Sequence, residues 1–223
     1  PDAAPDFCGA FGHVQRSPTI MVMRARALAP PRRLGVVAYA SDEALVEGLR
    51  ARHPAALSAF HERFSGHVLR VLGRLLGSGH DLSDAHHDAF VRALSSLDTL
   101  RDPAALKAWM TSVAVFTART CIQRRARRRW LLFFAPEELP PLVARPHEGE
   151  AHEALRATYR ALDRLPADER IAFALRRIDG MELQEVADAC GVSLATIKRR
   201  LARAEANFLE AARDQPALEE WLK

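Results

Sequence analysis

Two clusters of cations are the residues most able to do chemistry, and the chemistry is polyanion binding. Lys198, Arg199, Arg200 and Arg203 place four positive charges within six positions. Arg124, Arg125, Arg127, Arg128 and Arg129 place five within another six. Like charges at i,i+4 on a helix repel by a few tenths of a kcal/mol per pair, a cost that phosphates would relieve. The alternative is a solvated basic helix end favoured by the dipole. His80, His86 and His87 invite a metal reading. Adjacent helical histidines point about 100° apart, however, and neither His-x-x-x-His spacing nor a nearby cysteine is present, so no metal site is expected. No nucleophile–base pairing and no Gly-rich phosphate loop stand out. No catalytic residue, cofactor or small-molecule substrate is therefore assigned, and the chain does not read as an enzyme.

The residues before the first cluster supply a frame for it. In Leu183–Arg203 (LQEVADACGVSLATIKRRLAR), Ala187 lies four positions before Gly191 and Ile197 six after it. A small residue lets two helices approach, glycine permits positive φ at the turn, and the isoleucine fills the gap: the spacing of a helix-turn-helix. Ser193 suits the N-cap of the second helix. Ser193, Thr196, Lys198, Arg199, Arg200 and Arg203 then become candidate DNA contacts, short polar groups leading and cations following. The stretch alone also permits an ordinary helical hairpin with a basic face.

Composition agrees with helices. Hydrophobic residues make up 48% of the 223 positions and charged residues 27%, with few aromatics, which predicts an all-α protein. Net charge is only +4, so the clustering carries the signal. Cys8, Cys121 and Cys190 are few and far apart, which argues against a disulfide framework. Cys121 and Cys190 read as small buried residues. No apolar run approaches the roughly 18 residues of a membrane span, and a cytoplasmic location is expected.

In chain order, residues 1–40 contain five prolines (Pro1, Pro5, Pro18, Pro30, Pro31) and no sustained period, so a disordered leader is expected. Ser41 caps a first helix. Pro54 opens a second, which runs through Phe60, Phe64, Val68, Leu72 and Leu76 to Gly77. Asp81–Asp84 start a third. A fourth runs from Ala105 to about Trp130, with Leu106, Trp109, Met110, Val113, Phe116 and Thr117 on one side; Phe116 is assigned to the core. Ala135–Glu150 (APEELPPLVARPHEGE) is rich in Pro and Glu and reads as a flexible linker. The second domain, 151–223, begins with helices around Leu155–Leu165 and Pro166–Ile178, followed by the helix-turn-helix and a short amphipathic tail. Two small helical domains, 41–134 and 151–223, are thus expected.

With these residues laid out, Ser41–Ala212 resembles the extracytoplasmic-function (ECF) sigma factors of bacterial RNA polymerase. The resemblance is densest in ALDRLPADERIAFALRRIDGMELQEVADACGVSLATIKRRLARAEANF. The family's E-x-x-A-x-x-x-G-x-S-x-x-T-x-K-x-R-L-x-R-A falls on Glu182 or Glu185, Ala187, Gly191, Ser193, Thr196, Lys198, Arg200, Leu201, Arg203 and Ala204. In the first half the family's D-x-x-Q-E-x-F-x-R-A corresponds to Asp84–Ala93, with His87-Asp88 in place of Gln-Glu.

The resemblance implies that 41–134 is a sigma-two-like domain for core polymerase and the −10 element. It implies that 151–223 is a sigma-four-like domain for the −35 element. Asp84, His87 and Asp88 would dock on the β′ clamp helices of core RNA polymerase, and the β flap is a second implied contact. Leu100 and Trp109 fall in the region that faces the melted −10 strand, although the family's loop carries a base-capturing aromatic where this chain has Leu100. Trp109 reads equally as core. The family's polar Arg-Asn in helix four is replaced by Val115-Phe116; Phe116 could substitute as an apolar wedge, and core packing is the preferred reading. Arg124, Arg125, Arg127, Arg128 and Arg129 would track promoter phosphates. An anti-sigma factor is a further implied partner. A stand-alone helix-turn-helix regulator and a sigma-like protein that melts DNA weakly are the competing expectations.

Overall fold

The computed structural model describes residues 39–77, 81–132 and 150–221. The leader expected over 1–40 and the linker over 135–150 lie outside the described residues, save Tyr39, Ala40 and Glu150. Every regular element among the described residues is helical: α1 (Asp42–Arg50), α2 (Pro54–Leu76), α3 (Asp81–Ser95), α4 (Leu106–Leu132), α5 (Glu150–Leu162), α6 (Ala167–Phe173), α7 (Leu183–Cys190) and α8 (Leu194–Arg213), with short 3-10 turns between and after them.

Local chemistry explains the boundaries. The Ser41 hydroxyl accepts from the Ala44 N–H at 3.2 Å to cap α1, and Asp42 and Glu43 sit in its first turn, at the positive end of the dipole. Pro54 occupies the first turn of α2, where its missing N–H costs nothing. Gly77 ends α2 at φ 77°, a conformation that a side chain would strain. The helix expected from Pro166 to Ile178 is less regular: α6 stops at Phe173, and Ala174–Ile178 widens into a π turn. There the Asp179 N–H donates to the Ala174 carbonyl at 2.9 Å. The wide turn ends where Asp179 meets Arg74 of α2 in an ion pair.

The two halves do not keep separate interiors. A single apolar cluster runs from Leu45, Phe60, Leu72 and Met110 in α1–α4 to Ile171, Leu175, Val186 and Ile197 in α6–α8. The reason lies in α4. Leu106, Met110, Val113 and Thr117 fill the side facing α2 and α3, while Val115 and Ile122, roughly opposite Leu106 at 100° per residue, are buried as well. α6 and α7 pack along this helix. A helix apolar on two sides is built to be covered twice. Smaller clusters tie α5 to α8: Ala157 and Ala161 meet Ala211, Ala212 and Leu218, and Leu162 and Leu165 meet Ala204.

The polar part of this seam sits at the end of α2, where Gly73 O accepts the Gly77 N–H at 2.9 Å and the later carbonyls must find partners outside the helix. The Tyr159 hydroxyl donates to Gly73 O at 3.1 Å and lies 3.3 Å from Arg74 O. Arg170 Nε donates to Leu75 O at 2.9 Å, and Arg125 to Leu76 O at 3.1 Å. Arg170 is 1% exposed and is also paired with Asp163. An isolated buried guanidinium would be very costly; burial pushes its pKa down, and the Asp163 carboxylate opposes that shift.

Candidate nucleic-acid interface

The helix-turn-helix is built as its sequence requires. Gly191 stands between α7 and α8 in the left-handed region, φ 65° and ψ 37°. Glu182 and Glu185 form a reciprocal capping box at the start of α7. Ser193 caps α8, its Oγ accepting from the Thr196 N–H at 3.3 Å and lying 3.0 Å from Thr196 Oγ1. Ile197 is fully buried between the helices. Ser193, Lys198, Arg199 and Arg203 are exposed and Thr196 half-buried. At 100° per residue Thr196, Arg199 and Arg203 fall within about 60° of one another, with Lys198 toward the far edge of the open face.

Arg200 differs from its neighbours. It turns toward α6 and donates to Asp168 at 2.6 Å. The other Asp168 oxygen lies 2.9 Å from Nε of Arg119 on α4. Asp168 thus joins the second half's recognition helix to the first half's longest helix. No spacing signal points to this tie: Asp168 reads as a first-turn acid, and its partners lie 32 positions later and 49 earlier.

On α4 the expectations divide. Arg124, Arg127 and Arg128 are exposed and can meet phosphates. Arg125 is held inside the structure by Leu76 O and by Asp81 at 2.8 Å. The hydrogen bond from Arg125 holds the Asp81 carboxyl below its usual range. Arg125 is therefore a structural tie in this arrangement rather than a free phosphate contact. The Arg129 side chain lies outside the described residues. Trp109 is partly buried, and its indole N–H donates to Thr99 Oγ1 at 3.0 Å.

Two expectations are corrected. Leu100 was placed at the melted strand, but it is 3% exposed and belongs to the core. Its carbonyl receives Arg50 at 2.9 Å, so it anchors the loop instead of presenting to DNA. Phe116 was assigned to the core, yet it is 49% exposed, with the Arg92 guanidinium 4.5 Å above its ring. The inward sector of α4 is already filled by Leu106, Met110, Val113 and Thr117, and the opposite side is covered by the second half. Phe116 falls on the strip between them.

The third group is coherent. Asp84, His87 and Asp88 are exposed on one face of α3. The same face continues at helical spacing into Val91 and Leu94, 54% and 42% exposed. Acids bordering exposed aliphatics suit a protein partner. His86 turns the other way, its Nε2 lying 3.1 Å from Ser65 Oγ; His67 pairs with Thr111 Oγ1 at 2.8 Å. Burial depresses both histidine pKa values. No group of three or more potential metal-ligating side chains occurs among the described residues. Cys121 and Cys190 are buried, and burial pushes the Cys190 thiol up to about 11.

A cleft of about 820 Å³ lies where the loop 99–102 and the start of α4 face α7. His67, Arg70 and Lys107 line the wall from the first half, and Asp179, Glu185 and Asp188 the wall from the second.

Comparison with known proteins covers both halves. The family model for sigma-70 region 2 matches residues 60–131, and that for sigma-70 region 4 matches 155–207. The ECF RNA polymerase sigma-E factor of Escherichia coli K12 is 27% identical over 173 residues, covering 74% of this chain and 90% of the relative. The RNA polymerase sigma-H factor of Pseudomonas aeruginosa is 23% identical over 188 residues, covering 80% and 96%. Among solved structures, CnrH in complex with the cytosolic domain of CnrY aligns with TM-score 0.51 at 23% identity, covering 78% of this chain and 98% of that one. It shares the fold.

Proposed function

The chain belongs to the ECF group of the sigma-70 family, and from the disposition of its charged faces we propose how it works in transcription initiation. It binds core RNA polymerase through the α3 face of Asp84, His87 and Asp88, with Val91 and Leu94 adding apolar contact. It reads the −35 element through Ser193, Thr196, Lys198, Arg199 and Arg203 on α8. Arg124, Arg127 and Arg128 bind promoter phosphates beside the −10 element, a sequence-independent attraction that weakens steeply with salt. An anti-sigma factor is the regulatory partner. The protein works in the cytoplasm, where polymerase and promoter are found, and is not an enzyme in its own right.

The observation that carries this reading is the exposed face of α3, where Asp84, His87 and Asp88 continue into Val91 and Leu94, on a chain that also carries two basic helix surfaces; Asp84 and Asp88 line a small cleft with Arg124, Arg125 and Arg128. An acidic–aliphatic face on α3 is offered to protein, and two basic helix surfaces, on α4 and α8, are offered to DNA. A stand-alone DNA reader has no need of the first.

The docked arrangement adds a requirement. The −35 and −10 elements are named for positions some 25 base pairs apart, on the order of 85 Å at about 3.4 Å per pair. Arg119 and Arg200 share a single carboxylate. The two halves must part before both elements can be engaged at once.

Run-off transcription with purified core enzyme tests the reading. Transcripts that require this chain are expected. Tight promoter binding by the chain alone, without association with core enzyme, would replace it with a stand-alone regulator. Association with polymerase but transcription only from pre-melted templates would indicate a factor that melts DNA weakly.

A further inference from the structure

We propose that Arg70 of α2 and Lys107 of α4 form a further phosphate-binding site on the first half, and that the acidic edge of α7 stands in for those phosphates while the halves are docked. This rests on the promoter-factor reading for DNA as the source of the phosphates.

The charges lining the cleft of about 820 Å³ are sorted by sign. The second half contributes Asp179, Glu185 and Asp188 and no cation. The first half contributes Arg70, Arg101 and Lys107 against a single acid, Asp102, whose carboxylate already accepts the Ala104 N–H at 3.0 Å. A cationic wall thus faces an anionic one.

The cationic wall is not neutralised from within its own half. Arg70 and Lys107 are exposed, and their side chains make no ion pair or hydrogen bond among the described residues. Lys107 stands in the first turn of α4, a turn that holds no acid, at the positive end of the helix dipole. An anion is favoured there on both counts. The neighbouring imidazole registers the same field: burial first, then Lys107 and Arg70, hold the His67 pKa down. The hydroxyls of Thr99 and Ser112 also line the cleft, and such groups supplement cations at a phosphate.

On the opposite wall Asp179 is paired with Arg74, but Glu185 and Asp188 meet no cation among the described residues. Glu185 accepts the Glu182 N–H at 2.8 Å, and Asp188 accepts from Gln184 at 2.9 Å. Neutral donors orient these carboxylates and leave their charge in place. Three positions apart, the two share one face of α7. Opposite charges separated by a gap attract within a Debye length, about 10 Å at 0.1 M salt. That attraction favours docking without the commitment of a direct ion pair. A DNA strand carries charge at higher density and releases counterions when it binds, so it displaces α7 from Arg70 and Lys107 once the halves part.

The test uses the full chain alone, with a fluorescein-labelled 20-base-pair duplex of mixed sequence read by anisotropy. Glu185→Gln combined with Asp188→Asn is expected to tighten binding about fivefold at 50 mM salt and less at 200 mM. In a background of Arg70→Gln with Lys107→Gln the same pair should change affinity less than about twofold, the signature of direct coupling. Glu47→Gln with Glu62→Gln removes two exposed carboxylates from α1 and α2 and should also change it less than about twofold. Glutamine at 185 still suits the capping box, and thermal melts confirm folding. Wild-type affinity in the Glu185/Asp188 variant would overturn the mimicry. So would a gain that persists without Arg70 and Lys107, or one that the Glu47/Glu62 pair reproduces. In holoenzyme on promoter DNA, Arg70→Gln with Lys107→Gln should lower the salt slope of log K by roughly 0.9 for each phosphate lost; an unchanged slope would overturn the phosphate site. Failure to bind core enzyme would remove the promoter-factor reading and leave the free-chain comparison to decide whether α7 masks these cations.

Discussion

α4 and α8 are both long basic helices, yet they are mounted in opposite ways. α8 buries one stripe, Ile197, Leu201 and Ala204, and leaves its cations on an open face braced by α7. α4 is packed on two sides and carries the second half along its flank; its exposed remainder is a narrow strip with an aromatic ring at its middle and arginines toward its end. Projecting cations suit the edges of a groove. Similar net charge is therefore displayed in two different ways, and the packing of each helix decides which.

The comparison can be broken at its joint. Arg170→Ala removes the guanidinium shared by Leu75 O and Asp163 at the seam. A buried polar tie broken from one side costs about 3 kcal/mol, so the thermal midpoint should fall by roughly 10 °C. Calorimetry checks this, and a change under 2 °C would mean that the seam contributes little to stability.

A smaller effect is expected at the turn of the second half. Gly191→Val places a β-branched side chain at φ 65°, costing about 1–3 kcal/mol. Promoter binding through α8 should be lost in a mobility-shift assay while polymerase association persists. Joint loss of both would indicate general misfolding.

Charge removal sharpens the contrast between the two helices. Arg199→Ala or Arg203→Ala should relax discrimination among −35 sequences by about 1–3 kcal/mol. Arg127→Ala or Arg128→Ala should weaken all sequences alike and lower the salt slope of log K by roughly 0.9 each. A sequence-dependent effect at Arg127, or none at Arg199, would invert the assignment.

The smallest effect is with pH. Burial, with Lys107 and Arg70 nearby, holds the His67 pKa below its usual value, so the folded state favours neutral imidazole. Above the unfolded value of about 6.5 both states are neutral and the contribution is intact. As pH falls below that, the unfolded chain takes up a proton that the folded chain resists, and stability declines until the folded pKa is passed. Thermal melts at pH 7.5 and 5.5 should show this decline, and His67→Gln should make it shallower. Asp81, held down chiefly by its hydrogen bond from Arg125, acts with the same sign at more acidic pH.

The second half was legible because its determinants are local. Ala187, Gly191, Ser193 and Ile197 lie within eleven positions, and each residue type dictates its own backbone or packing role. The all-α class and the buried cysteines followed in the same way. α4 was not legible at that level. Whether Phe116 faces in or out depends on how much of the helix is claimed by α2, α3 and the second half, and hydrophobicity alone sends it inward. Leu100 was misplaced for the converse reason: a position matched through the family resemblance carried an outward role, while the side chain there is an aliphatic that packs. The ties through Asp168 and Arg170 join residues distant in sequence, and no spacing rule anticipates them.

The carbonyl end of α2 carries a consequence for synthesis. Leu75 leaves the ribosome 95 residues before the arginine that will cap it. At roughly 5–20 residues per second that is about 5–20 s. During this interval water satisfies those carbonyls, and the first half is presented to the nascent second half with its docking surface hydrated. Translation speed through the intervening segment thus sets how long the surface stays open to other molecules.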